Sequence, residues 1–392
     1  MRVYKEGTMK ISNPAGRWSG LTALGIAGCL FASGSVFAMD HSRHELTFPD
    51  VYGYVTLKCD FHMHTVFSDG LVWPTVRVQE AWRDGLDAIA ITDHVEYHPH
   101  QSDVTTNQAR PYEIAKPAAD SVGLLLVRAA EITRPEPPGH LNALFLEDIK
   151  PLCVPDYHDA VKAAADQGAF LFWNHPGWKQ PGNKAVWYKE QGEFFARGWL
   201  RGLEVVNGPD YSAIVHRWAV DKNLTPMGDS DVHDPIDMVY DGSAEHHRPV
   251  TLVFAQEKSL AALKEGLMNQ RTVIWSSTNL YGSSEYLKPL LEKSVRVINS
   301  AITIQGKGSA TLNLHNESSC EFTLVALDTL KGIKLPGKLV LPPGRTVACK
   351  ITVTDPRDGK QTLELPFKAV NLHPAPGETQ PVEIRVTVEF KP

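Results

Sequence analysis

From residue 50 onward, short apolar, β-branched runs alternate with segments of helical period. The first run, Tyr54–Phe61, is followed by a helix that Pro74 opens, that carries Val78, Ala81 and Trp82, and that Gly85 ends. Ala88–Ile91, Leu124–Ala129, Leu141–Leu146, Ala169–Trp173, Leu203–Val206, Thr225–Gly228, Val250–Ala255 and Arg271–Trp275 read as further strands. Helical period returns around Ala160, Val161 and Ala164, over Ser259–Asn269, and in the amphipathic stretch Ser284–Leu291. The polar, proline-punctuated stretch from His98 to Pro111 reads as a long loop. Repeated βα units of this kind predict a parallel sheet or barrel with helices outside.

Beyond residue 295 the texture changes. Val297–Ile304, Ala310–Leu314, Phe322–Ala326, Val347–Val353, Thr362–Phe367 and Val382–Phe390 are strand-like and separated by Gly, Pro and Asn turns. An all-β sandwich over 295–392 follows. It is expected to be a stabilising appendage, ahead of a lid, a dimerisation surface or a glycan-binding module.

Polar residues fall at particular places in this pattern. His62 and His64 stand one residue apart at the end of the first strand, so both project from the same side. Gly70 lets the chain turn back and bring Asp69 towards them. Two imidazoles and a carboxylate suit a divalent ion with N/O preference such as Zn, Mn or Fe. His94, Glu131, His140, His175, Asp231 and His233 also lie at or next to strand ends. A parallel barrel gathers its active-site groups on that face.

The chain has 392 residues, 43% of them hydrophobic, which is enough for one large and one smaller domain. Its formal charge of −6 offers no polybasic surface for nucleic acid. Residues 1–38 read as a signal peptide, with Lys10 and Arg17 flanking the apolar run Leu21–Phe37 and cleavage expected after Ala38. Met9 reads as its natural start. Lipidation at Cys29 is the competing reading, so the protein is expected to be periplasmic or extracellular, with or without a lipid anchor. In an oxidising compartment Cys320 and Cys349 either pair or remain free buried thiols. Cys59 and Cys153 are expected to pack as small apolar residues. No cysteine spacing fits a thiolate metal site.

The motifs occur in a recognisable order: HxH followed by SDG (62–70), TDH (92–94), Glu131, GHxNAL (139–144), NHP (174–176) and SDxH (230–233). Over residues 50–290 this series resembles the polymerase and histidinol phosphatase (PHP) superfamily. The resemblance implies a distorted (β/α)7 barrel and a cluster of up to three divalent ions. It places His62, His64 and Asp231 on a first ion. Glu131 would bridge to a second ion held by His140 and His175, and Asp69, His94 and His233 would hold a third. Glu131, Asp231 and His233 are the expected catalytic residues, while Asp93, Asn174 and Asp229 would orient the ligands. His98, His100, His246 and His247 have no motif and are assigned to the surface or rim.

The finer layout resembles exported members that cleave phosphate diesters, organophosphate diesters included. The expected substrate is a small phosphate ester attacked by a metal-bridging hydroxide. No Ser-His-Asp or Cys-His arrangement and no GxxxxGK[ST] loop competes with that chemistry. Arg134, Arg248 and Arg271 are candidate phosphate clamps. Trp178 is a candidate wall for the ester group, and loops Glu96–Pro111 and Lys179–Lys184 are candidates for selectivity. The alternatives are a phosphomonoesterase of histidinol-phosphatase type and a non-catalytic exported protein that binds metal or glycan.

Overall fold

The computed structural model describes residues 42–392 apart from 244, 328 and 329. The expected signal segment and Cys29 lie outside the described residues. The first part comprises β1 (Val55–Asp60), α1 (Pro74–Arg83), β2 (Ala88–Ile91), α2 (Arg110–Ser121), β3 (Leu125–Ile132), β4 (Leu141–Leu144) and α3 (Tyr157–Asp166). It continues through β5 (Phe170–Trp173), α4 (Lys189–Ala196), β6 (Leu200–Asn207), β7 (Asp210–Tyr211), α5 (Ala213–Lys222) and β8 (Thr225–Asp229). After these come α6 (Ile236–Val239), β9 (Val250–Ala255), α7 (Leu260–Met268), β10 (Thr272–Ser276), β11 (Asn279–Gly282) and α8 (Ser284–Ser294).

The barrel is built from two parallel trios. β1, β2 and β3 run parallel, as do β5, β6 and β8. β4 runs antiparallel to both β3 and β5, and β9 is antiparallel to β1. The reason is local: a short loop with Pro135, Pro137 and Pro138 joins β3 to β4, and a parallel return needs a crossover of about a dozen residues or more. Pro111 belongs to helix α2 rather than to the loop, because its missing N–H is harmless in a first turn.

Among the described residues no ladder joins β8 to β1. The gap is closed by the segments that follow these strands: Met63 bridges Val232, His64 N donates to Val232 O at 3.0 Å, and Asp231 N donates to His62 O at 2.8 Å. Behind this seam Gly228 lies so close to β10 that an added Cβ would stand 2.2 Å from Ile274 Cγ2. The backbone of β8 therefore packs directly on its neighbours, and Gly228 N donates to Thr251 Oγ1 at 2.9 Å.

The second part comprises β12 (Val295–Val297), β13 (Ala301–Gln305), β14 (Ser309–Asn316), β15 (Phe322–Ala326) and β16 (Ile333–Lys334). β17 (Lys338–Leu341), β18 (Thr346–Val353), β19 (Gly359–Ala369), β20 (Leu372–His373) and β21 (Gln380–Lys391) complete it. A four-stranded sheet, β12-β14-β18-β16, faces a five-stranded one, β13-β21-β19-β15-β17. Period-two burial along β21 points Val382, Ile384, Val386, Val388 and Phe390 inward. β20 leaves the sandwich and pairs in parallel with β11, and one hydrophobic cluster runs from Val51 to Phe390. The two parts are fused through a shared core. Among the described residues no helix is long and apolar enough to cross a membrane.

Cys59, Cys153, Cys320 and Cys349 are all free. Burial pushes the Cys320 and Cys349 thiols up to about 12 and about 11, so both stay protonated. Cys153 is exposed, against the expectation of packing.

Arg248 is buried, with Nη1 3.2 Å from Asp60 Oδ2 and Nη2 2.9 Å from Asp84 Oδ2. Asp60 in turn accepts from Ser230 N at 3.1 Å. Arg248 is thus a structural counterion and not a phosphate clamp. Arg248→Met leaves Asp60 charged in a dry core, and we expect a loss of about 3–5 kcal/mol, seen as a lowered thermal midpoint.

Candidate metal centre

The donors are delivered by segments whose own hydrogen bonds hold them. After β1, Asp93 accepts from Thr65 N at 2.7 Å, Thr65 Oγ1 at 2.6 Å and Ser68 Oγ at 2.7 Å. The loop folds so tightly that a Cβ on Gly70 would lie 2.6 Å from the His64 carbonyl, which is why a glycine stands there. His175 (φ +27°) and Asp231 (φ +51°) both hold left-handed backbone at donor positions.

Glu131, fully buried at the end of β3, is the hub. Its Oε2 lies 2.9 Å from His62 Nε2 and 3.4 Å from His64 Nε2. Its Oε1 lies 2.5 Å from His140 Nδ1 and 3.2 Å from His94 Nδ1. Asp231 Oδ1 stands 3.1 Å from both His62 Nε2 and His64 Nε2. Asp69 Oδ1 stands 3.3 Å from His94 Nε2 and 3.2 Å from His233 Nε2.

These nine residues form four overlapping sets: His62/His64/Asp231, His62/Glu131/His175, His94/Glu131/His140 and His64/Asp69/His94/His233. The first set has the expected membership, and the last adds His64 to the expected trio. His140 and His175 fall into different sets because the two oxygens of Glu131 face different histidines. His64 belongs to two sets, so the HxH pair and Asp69 are not cleanly divided between ions.

The donor chemistry fits divalent ions. Ligands about 2.0–2.2 Å from a shared ion stand roughly 3 Å apart, the spacing found here. His64 Nε2, Asp69 Oδ1, His140 Nδ1 and Asp231 Oδ1 are buried without a hydrogen bond in suitable geometry, which is costly unless a cation satisfies them.

A second layer orients the donors. Glu204 Oε1 lies 2.9 Å from His62 Nδ1, and its Oε2 accepts from His175 N at 2.6 Å and Asn207 Nδ2 at 3.1 Å. Asn207 Nδ2 also reaches Asp231 Oδ2 at 3.1 Å, and Thr133 Oγ1 lies 2.6 Å from His94 Nδ1. Burial pulls His62 down, but Asp231, Glu204 and Glu131 outweigh it and hold its pKa well above the ordinary imidazole value. Burial raises the Glu204 carboxyl, with His62 opposing.

Glu204 was missed by looking at strand ends, since it sits inside β6. The available signal was a glutamate within the apolar run Leu203–Val206. Of the residues expected to orient the ligands, Asp93 holds Thr65 N and the Ser68 hydroxyl, which lies 3.4 Å from His64 Nδ1, while Asn174 Oδ1 accepts from Asn142 N and Asp229 Oδ1 from Phe61 N, both on backbone.

Trp178 is 45% exposed, with its ring 5.2 Å from both His140 and His175. It therefore stands at the site and is not core. Tyr97, 51% exposed and 6.1 Å from His94, is a rim aromatic that motif reading left out. Arg134 reaches the same cavity as Trp178, but its guanidinium is engaged by Glu96 and the Val154 carbonyl. Arg271 pairs with Glu265 and Phe254 O, away from these donors. His98 bonds Phe67 O and Val95 O, and His247 stacks on Trp275 at 3.7 Å.

If Glu204 sets the orientation of His62, Glu204→Gln should keep the fold and weaken metal retention about 10–100-fold, measured by chelator competition and elemental analysis. Wild-type metal affinity in that variant would sink the assignment.

Comparison with known proteins agrees with this geometry. A family model described as an Ig-like domain matches residues 295–385, the sandwich. No curated protein matches. A crystal structure from Bacteroides vulgatus ATCC 8482, a two-domain protein containing a predicted PHP-like metal-dependent phosphoesterase, is 40% identical. That match covers 88% of this chain and 99% of the other, with a TM-score of 0.83. A putative metal-dependent phosphoesterase from Bifidobacterium adolescentis ATCC 15703 is 19% identical over 45% of this chain and 87% of its own, with a TM-score of 0.35. That last likeness is too slight to carry weight. On the first, full-length match, the chain belongs to the two-domain PHP-like metal-dependent phosphoesterases.

Proposed function

We propose that this protein hydrolyses small phosphate esters, diesters in preference to monoesters, with Zn, Mn or Fe ions held by the nine clustered donors. The observation that carries this reading is the place of one buried carboxylate, Glu131, which joins two of the four overlapping donor sets, His62/Glu131/His175 and His94/Glu131/His140. When bound, ions in such a site lower the pKa of water towards neutrality and neutralise phosphate oxygens.

The protein's own groups supply orientation and access. Asp69 and His233 are the most exposed of the nine side chains, at 27% and 34%, and mark the side from which an ester enters. His233 Nδ1 lies 2.8 Å from Asp231 O, so that nitrogen keeps its proton and Nε2 is left to face the cluster. The diester preference rests on the cations. Arg134 and Arg248 are both neutralised by carboxylates, so neither guanidinium is free to clamp a monoester dianion. Trp178 and Tyr97, beside different histidines, leave room for an organic group on either flank. Export, read from residues 1–38, would place this activity outside the cytoplasm.

Protein reconstituted with Zn, Mn or Fe should turn over bis(p-nitrophenyl) phosphate faster than p-nitrophenyl phosphate. A clear monoester preference overturns the diester reading. Glu131→Ala should abolish turnover with the circular dichroism spectrum retained, and near-normal activity in that variant would falsify the role of Glu131 as hub.

A further inference from the structure

A cavity of about 410 Å³ opens beside His140 and His175, with Trp178, Lys179, Glu136 and Arg134 among its lining residues. Its cations differ in availability. Arg134 is engaged by Glu96, whereas among the described residues Lys179 enters no ion pair. Its ammonium instead rests 3.8 Å from the centre of the Trp178 ring.

The backbone that presents this pair is tightly constrained. Gly177 has φ +93°, and a Cβ there would lie 2.6 Å from Ala185 N. Lys179 itself has φ +59°, a left-handed conformation that residues with a side chain seldom adopt. Glu136 anchors the turn by accepting from Gly177 N at 3.3 Å, and burial holds its carboxyl above the ordinary range. The turn thus carries an aromatic ring and an unpaired cation together to the edge of the donor cluster.

We infer that Lys179, carried on Trp178, determines specificity by reading an anionic oxygen group on the organic part of the substrate, a carboxylate or a second phosphoryl group. This deepens the phosphoesterase reading and rests on it. The ring of Trp178 provides an apolar surface for the ester group, and the ammonium supplies a charge-assisted hydrogen bond beyond the phosphorus that is attacked.

The test is binding by calorimetry to the full-length, metal-reconstituted protein, with phenylphosphonate, 4-carboxyphenylphosphonate and 1,4-phenylenediphosphonate as probes. Wild type should bind the two doubly functional probes about tenfold more tightly than phenylphosphonate. The stronger of these two identifies carboxylate or phosphoryl as the group read. Lys179→Met should remove that advantage, and Lys179→Arg should keep most of it. No advantage in wild type, or an undiminished one in Lys179→Met, overturns the inference. An equal loss for all three probes in Lys179→Met also overturns it, since Lys179 would then hold the reacting phosphoryl group. Turnover of bis(p-nitrophenyl) phosphate by wild type reports separately on the phosphoesterase reading, so a failure of either is recognisable on its own.

Discussion

The guanidinium of Arg77, completely buried, holds the two halves of the donor cluster against each other. Its Nε donates to His64 O at 2.8 Å, while Nη2 donates to Val232 O at 3.0 Å and His233 O at 2.8 Å. Nη1 reaches Asp234 O at 2.9 Å and Glu80 Oε2 at 2.8 Å. All five N–H groups are used, four of them on carbonyls of the donor-bearing segments after β1 and β8. Glu80 supplies the compensating charge, and its other oxygen accepts from Ile236 N at 2.9 Å. Among the described residues no continuous ladder closes this seam, so a side chain of fixed fork geometry does what strand pairing does elsewhere.

The same logic runs outward from the site. Two buried arginines near the donors are neutralised by specific partners: Arg77 by Glu80, and Arg248 by Asp60 and Asp84. A buried charge without a partner would destabilise the barrel by several kcal/mol, roughly. Among the buried polar atoms left unsatisfied, His64 Nε2, Asp69 Oδ1, His140 Nδ1 and Asp231 Oδ1 lie on the donors themselves, where a cation would complete them. The sandwich stabilises this arrangement from the other side. β20 extends the barrel sheet, and Asn371 ties Thr278 O of the barrel to Glu321 O and Thr323 N of the sandwich.

Much of this was legible in the chain. The strands from Ala88 to Trp275 fall close to where apolar runs end, because side-chain alternation and turn chemistry are local properties. The antiparallel course of β4 was present in the short Pro-rich connection before it, but it was masked by the stronger rhythm of βα repeats. Helix α2 was hidden because Pro111 reads equally as a loop residue and as the first residue of a helix.

The sequence by itself determined which residues would gather at one end of the barrel. Their spacing from strand ends sets that, although the βα rhythm did not disclose the antiparallel courses of β4 and β9. Only the tertiary structure decided how they are shared: that Glu131 faces four imidazoles, that His64 serves two sets, and that Glu204, inside a strand, steadies His62. It also decided the fate of the basic residues, since Arg134 and Arg248 are neutralised while Lys179 keeps its charge unpaired. Ion pairing and donor sharing depend on distances between residues far apart in the chain, and no local pattern encodes those distances.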